Sequence, residues 1–171
     1  MTIKSQSGFF AKKKKKNPVS LGYEVTMLGA ICGDIIGSRF EAQPYKGKDF
    51  TLFSPKCRFT DDSVLSIALA HSLMHRIPYT KNLKAFYTRY PNAGYGGTFA
   101  IWAGSEQTDP YYSFGNGSAM RVSPVGWFFN DAASVLDQAQ ASAAVTHDHP
   151  EGIKGAQAIA LAVFLARQGA D

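Results

Sequence analysis

Apolar residues in this chain recur at three- and four-residue spacing in short segments closed by proline or glycine, and that rhythm constrains the fold more than any other feature. Leu28, Ile31 and Ile35 set it in the segment 27–37. Val64, Ile67, Ala68 and Leu69 repeat it between Ser63 and His75, and Ile153, Ala156, Ala160 and Phe164 repeat it along 153–168. Such spacing gives a helix one apolar face, whereas a half-buried strand needs strict alternation, which is scarce here. Thr60 or Asp61 can cap the second helix, Thr80 a third that ends before Pro91, and Pro150 suits the first turn of the last. Shorter helices are expected over Thr98 to Ala103, over Ser118 to Phe129 with an interruption at Pro124, and over Ala132 to Val145. The expectation is an all-α fold without internal repeats.

Charge divides the chain. The formal net charge is +5, and residues 1–26 account for all of it, with six lysines (Lys4 and Lys12 to Lys16) against Glu24. Residues 1–26 read as a basic flexible leader, and residues 27–171 as one neutral domain. A nucleic-acid or membrane partner for that domain is therefore not expected. Cys32 and Cys57 lack metal-ligand spacing, and two cysteines make an extracellular disulfide scaffold improbable, so a reducing, cytoplasmic setting is expected. No apolar run reaches the ~20 residues that span a bilayer.

Several constellations carry chemistry. Thr60-Asp61-Asp62-Ser63 places four oxygen-bearing side chains at a helix start, where they can ligate a hard cation such as magnesium or manganese, or simply cap the helix. Gly115-Asn116-Gly117-Ser118-Ala119-Met120-Arg121 can bring backbone N–H groups and a helix N-terminus to a diphosphate, or be an ordinary Asn-Gly turn. In Gly33-Asp34-Ile35-Ile36-Gly37 the glycines share a helix face suited to close packing, and Asp34, amid apolar residues, needs a partner or an ion if buried. Glu41 can reach a cleft, pair with Arg39 or remain solvated. His147 and His149 can bind a phosphate or a ribose hydroxyl, or serve as caps. Tyr90 to Phe99 offers aromatics and glycines for an adenine or ribose pocket, while Trp102 and Trp127 read as core.

In this order the segments from Met27 onward resemble the ADP-ribosylglycohydrolase family. Met27-Leu28-Gly29-Ala30 through Gly33-Asp34 resembles its opening helix, Thr60 to Ser63 its first metal motif, Gly115 to Arg121 its phosphate loop, and Thr146-His147 its histidine segment. The resemblance implies an orthogonal helical bundle with a dinuclear Mg2+ or Mn2+ site that hydrolyses the glycosidic bond between ADP-ribose and a protein side chain or small molecule. By position, Thr60, Asp61 and Asp62 would be metal ligands. Gly115, Asn116, Gly117 and Ser118 would hold the diphosphate, His147 a phosphate or the distal ribose, and Glu41, with Asp61 and Asp62, would serve catalysis at the scissile bond.

One departure follows. The family completes its metal site with a later Asp-x-Asp-Ser/Thr motif, and after Gly152 the only carboxylic side chain here is Asp171. The expectation is a C-terminally incomplete domain with weak metal binding, and with uncovered apolar faces on Ser63–His75 and Ile153–Gln168 that favour self-association. Three functions are carried forward: an ADP-ribose hydrolase, a non-catalytic ADP-ribose binder, and a nucleic-acid or membrane module acting through Lys12 to Lys16.

Overall fold

The computed structural model describes residues 19–169, whose regular elements are all helical, with no strand among the described residues. Helix α1 spans Val19–Gly37 and runs into a 3-10 turn at Ser38–Phe40. It is followed by α2 (Asp61–His75), α3 (Tyr79–Arg89), α4 (Gly97–Gly104), α5 (Gly117–Met120), α6 (Ser123–Phe128), α7 (Ala132–Ala144) and α8 (Pro150–Arg167). The all-α expectation holds. The boundary of the basic leader does not: α1 begins at Val19, inside the expected 1–26 arm. No proline interrupts residues 19–37, so the helix extends back from its apolar part to Val19. Lys12 to Lys16 lie outside the described residues.

Local chemistry explains most boundaries. Thr60 is extended (φ −122°, ψ −168°), and its Oγ1 accepts from the Asp62 N–H, so it caps α2 and Asp61 is the first residue inside. Asp131 caps α7 through the Ser134 N–H at 2.8 Å. Thr80 caps nothing: Pro78, with its ring-fixed φ, starts α3 earlier and leaves Thr80 in the first turn. The interruption expected at Pro124 falls just ahead of it, at Arg121 and Val122, because Pro124 occupies the first turn of α6, where its missing N–H costs nothing.

Helix α8 is the centre of the bundle, packing on α5, α6 and α7, while α2 packs on α3, α6 and α1. Alanines at 139, 156 and 160, all fully buried, keep α7 and α8 close. Leu65, Leu69, Leu83, Val122, Val125 and Val135 fill the space between. The apolar faces of the sequence are only partly right. Leu28 is 60% exposed and Ile67 38% exposed, and Leu65 takes the inward position on α2 instead. Ile31 and Ile35 line an apolar pocket of about 220 Å³ with Phe59, Val64, Ile67 and Phe86. The uncovered strips on α2 and α8 are narrow, comprising Ile67 and Met74 on one and Ile159 and Leu165 on the other. Among the described residues Gly33 and Gly37 have no neighbour within 4 Å of where a Cβ would stand, so they mediate no close packing there. That role belongs to Gly126, whose missing Cβ would sit 2.4 Å from the Ala160 carbonyl. Trp102 is core and Trp127 half-buried. Among the described residues no helix is long and apolar enough to cross a membrane.

Candidate functional site

Asp34 organises the start of α2 from a distance of 26 residues. One of its oxygens accepts from Thr60 Oγ1 at 2.6 Å, and the other accepts from the Thr60 N–H at 2.8 Å, the Ser63 N–H at 3.1 Å and Ser63 Oγ. The carboxylate thus finds hydrogen-bond partners and supplements the cap that Thr60 provides. Ser63 is committed to Asp34, which leaves Thr60, Asp61 and Asp62 as the oxygens free to face a cation. Thr60 Oγ1 donates to Asp34 and accepts from Asp62, so one lone pair remains to it.

Asp61 and Asp62 stand half-buried at this junction. Burial, then the charge of Asp62, then Glu41 and Asp34, push the Asp61 carboxyl up to about 7. Burial and then Asp34 raise Asp62 as well, against the opposing hydrogen bond from Thr60. Among the described residues the ion pair within 4.0 Å is Lys154 with Glu151, far along the chain from this cluster. Crowded hard oxygens lacking a cationic partner are the donor chemistry a divalent ion suits. Glu41 is exposed and joins the cluster through its field. It forms no pair with Arg39, whose guanidinium lies over Phe40 at 4.4 Å and donates to the Thr51 carbonyl. Among the described residues no group of three or more His, Cys, Asp or Glu side chains gathers around one metal position, so protein ligands would supply only part of a coordination shell.

Asp61 also lines a cleft of about 230 Å³ that reaches Gly96 to Phe99, Tyr111, Ser113, Gly115, Asn116, Gly117, Arg121 and His147. Four separate sequence constellations therefore meet in one concavity. The details differ from expectation. The Ser118 hydroxyl is fully buried and donates to the Gly152 carbonyl at 2.8 Å, so only its backbone can serve a ligand. The helix after the loop is a single turn, so the dipole expected there is slight, and the Gly115 N–H already donates to Ser113 Oγ at 3.2 Å. Gly117 is required by proximity, since a Cβ there would stand 3.0 Å from the His147 ring.

The two histidines divide their roles. His149 caps α8, its Nδ1 accepting the Glu151 N–H at 3.0 Å. His147 is buried in the cleft, and burial, reinforced by the Arg121 charge and weakly opposed by Asp148, pulls its pKa down to about 4. A folded-state value below the ordinary 6.5 means that the unfolded chain binds the proton more readily. Stability is then complete above pH 6.5 and falls as pH drops toward 4, by about 2 kcal/mol after solvent at the cleft mouth screens part of the effect. Urea unfolding at pH 7 and pH 4.5 checks this. His147→Gln is expected to lose less stability across that interval than the wild type, and an identical loss in both would rule the cause out.

Other participants were hidden in the sequence. Arg121 is fully buried, its Nη2 donating to the Ser142 carbonyl at 2.9 Å and to Thr146 Oγ1 at 2.8 Å, while Nε and Nη1 have no partner among the described residues. A lone arginine within Ala-Met-Arg-Val was the available signal. Tyr112 adopts φ +52°, a strained region for a non-glycine residue, and its N–H is held by Asp148 at 2.8 Å. Phe114, 75% exposed, stands beside the glycine loop with its ring 5.5 Å from His149.

The family model for ADP-ribosylglycohydrolase matches residues 23–171. Curated relatives carry the name ADP-ribosylhydrolase ARH3. The Xenopus tropicalis protein is 28% identical over 174 residues, covering 84% of this chain and 50% of its own. The Gallus gallus protein is 27% identical over 197 residues, covering 93% and 54%. The Homo sapiens protein is 28% identical over 178 residues, covering 84% and 49%. The chain spans about half the length of these relatives.

Proposed function

The chain belongs to the ADP-ribosylglycohydrolase family, and from that premise we propose that it hydrolyses the glycosidic bond joining ADP-ribose to a protein side chain or small molecule. One observation carries the reading: Asp61, the Gly115 to Gly117 loop and His147 line the same cleft. Its volume suits a diphosphate with one ribose, and the exposed rings of Phe114 and Tyr112 offer a ledge for the remainder of a nucleotide.

In this reading the backbone N–H groups of Asn116, Gly117 and Ser118 hold the diphosphate, that of Gly115 joins them on leaving Ser113 Oγ, to which it donates at 3.2 Å, and His147 donates to a phosphate or the distal ribose. Thr60, Asp61 and Asp62 would hold Mg2+ or Mn2+ together with water. A bound divalent ion supplies positioning and Lewis-acid chemistry at the ribose hydroxyls. Glu41 takes a proton from the attacking water or delivers one to the leaving atom, and the carboxylates of Asp61 and Asp62 offset the positive charge that develops at the anomeric carbon. Water adds to that carbon as its bond to the side chain breaks.

The experiment is release of ADP-ribose from an ADP-ribosylated peptide with magnesium and with a chelator. Magnesium-dependent release, lost in Asp62→Ala, is expected. Folded protein that releases nothing under either condition defeats the catalytic claim. A second reading, ADP-ribose binding without turnover, is favoured by the small ligand set at Thr60, Asp61 and Asp62, and calorimetry showing magnesium-independent binding without release would select it.

A further inference from the structure

Arg121, Thr146 and His147 form a directed chain of hydrogen bonds beneath the glycine loop. A guanidinium has donors only, so Thr146 Oγ1 must accept the 2.8 Å bond from Arg121 Nη2. The hydroxyl keeps one proton and one further lone pair; accepting from a cation polarises it into the stronger donor, which favours its proton going on to His147 Nδ1, 2.8 Å away, or to the Tyr111 phenol, over a second incoming N–H. An Nδ1 that accepts carries no hydrogen, which leaves the ring proton on Nε2. Arg121 and Thr146 are both fully buried, so water does not compete for these bonds.

From this geometry we infer that Thr146 and Arg121 are positioning residues that lock His147 in its Nε2–H tautomer, aiming one hydrogen-bond donor at the glycine loop. The Nε2 edge faces that loop, since a Cβ on Gly117 would stand 3.0 Å from Nε2 and one on Gly115 3.9 Å from it. Charged and titratable neighbours of the ring are Arg121, Asp148 and Tyr111, whose ring centre is 6.0 Å away. The charge of Arg121 outweighs that of Asp148 and opposes a second proton on the imidazole. His147 therefore offers an anion oxygen a donor, has no lone pair facing the cleft, and neither takes up a proton from substrate nor ligates a metal there. The identity of that anion as the diphosphate of ADP-ribose rests on the function proposed above, whereas the tautomer does not.

Long-range proton–nitrogen NMR on 15N-labelled, ligand-free protein reads the tautomer directly, and titration with ADP-ribose reads its consequence. The wild type is expected to show the Nε2–H pattern between pH 6 and pH 8. Thr146→Val, which keeps the side-chain shape but has no hydroxyl, is expected to show mixed tautomers and roughly tenfold weaker ADP-ribose binding, and Thr146→Ser to restore both. An Nδ1–H pattern in the wild type, or an unchanged pattern in folded Thr146→Val, overturns the inference. The Nε2–H pattern in a wild type that does not bind ADP-ribose sustains the inference and overturns the ADP-ribose reading instead.

Discussion

Asp34→Ala is expected to unfold roughly 10 °C below the wild type and, on the function proposed above, to release less ADP-ribose from an ADP-ribosylated peptide. The substitution removes an acceptor that satisfies two backbone N–H groups and two hydroxyls at once, on Thr60 and Ser63. Those residues are 2% and 3% exposed, so water replaces the lost bonds poorly. Stranding buried donors costs about 1–3 kcal/mol each, partly relieved by local movement, which gives about 3–5 kcal/mol in all. At this chain length each kilocalorie shifts the melting temperature by roughly 2–4 °C. Asp34→Asn retains one acceptor oxygen and is expected to fall between the two. Because Asp61 and Asp62 are the first residues of the helix that Asp34 anchors, activity should fall further than stability at temperatures where all three proteins are folded. A melting temperature for Asp34→Ala within a degree of the wild type would show that the capping interaction contributes nothing.

The second large effect is expected at Gly126. A methyl group there meets the Ala160 carbonyl at 2.4 Å and Val163 Cβ at 2.9 Å, so α6 and α8 must separate. Val125, Ala160 and Phe164, all buried along this contact, lose packing as they do. Overpacking against a side chain usually costs about 1–3 kcal/mol, and a backbone obstacle that cannot rotate away takes Gly126→Ala to the upper end or beyond. Gly155→Ala, also in a helix, is the control. Its new methyl touches only Ala119 Cβ at 3.7 Å, so the gain in helix propensity should stabilise it by about 0.5–1 kcal/mol. Denaturant midpoints should move in opposite directions for the two variants. Movement in the same direction would mean that the separation of α6 and α8 is not set at Gly126.

Helix positions were legible wherever a local rule operates. Thr60 caps because its own side chain reaches two residues on, and Pro150 opens α8 because its missing N–H is not needed there. What escaped the sequence is what depends on partners remote along the chain. Asp34 could be recognised as needing a partner, but nothing in its neighbourhood names Thr60 and Ser63. The inward face of α2 was read correctly at Val64, Ala68 and Leu69 and wrongly at Ile67, because Leu65 and Ile67 are equally apolar and only the placement of α6 and α3 decides between them. At the site, the glycine loop and His147, singled out by type and spacing, line one cleft. Ser118 was read as holding a diphosphate with the loop, and its hydroxyl is committed to the Gly152 carbonyl, 34 residues later. The cation at the floor of the cleft went unread, because a single arginine among apolar residues looks the same in sequence whether it is solvated or entombed.

That buried arginine gives the cleft a compass. Asp61 bears carboxylate character on one part of its lining, and Arg121 carries a guanidinium, enclosed by protein, on another. A field laid out this way distinguishes the head of a ligand from its tail before any specific contact forms. A molecule with its negative charge gathered in one stretch enters in a single orientation, whereas one with phosphates at both extremities is repelled by the acids whichever way round it arrives.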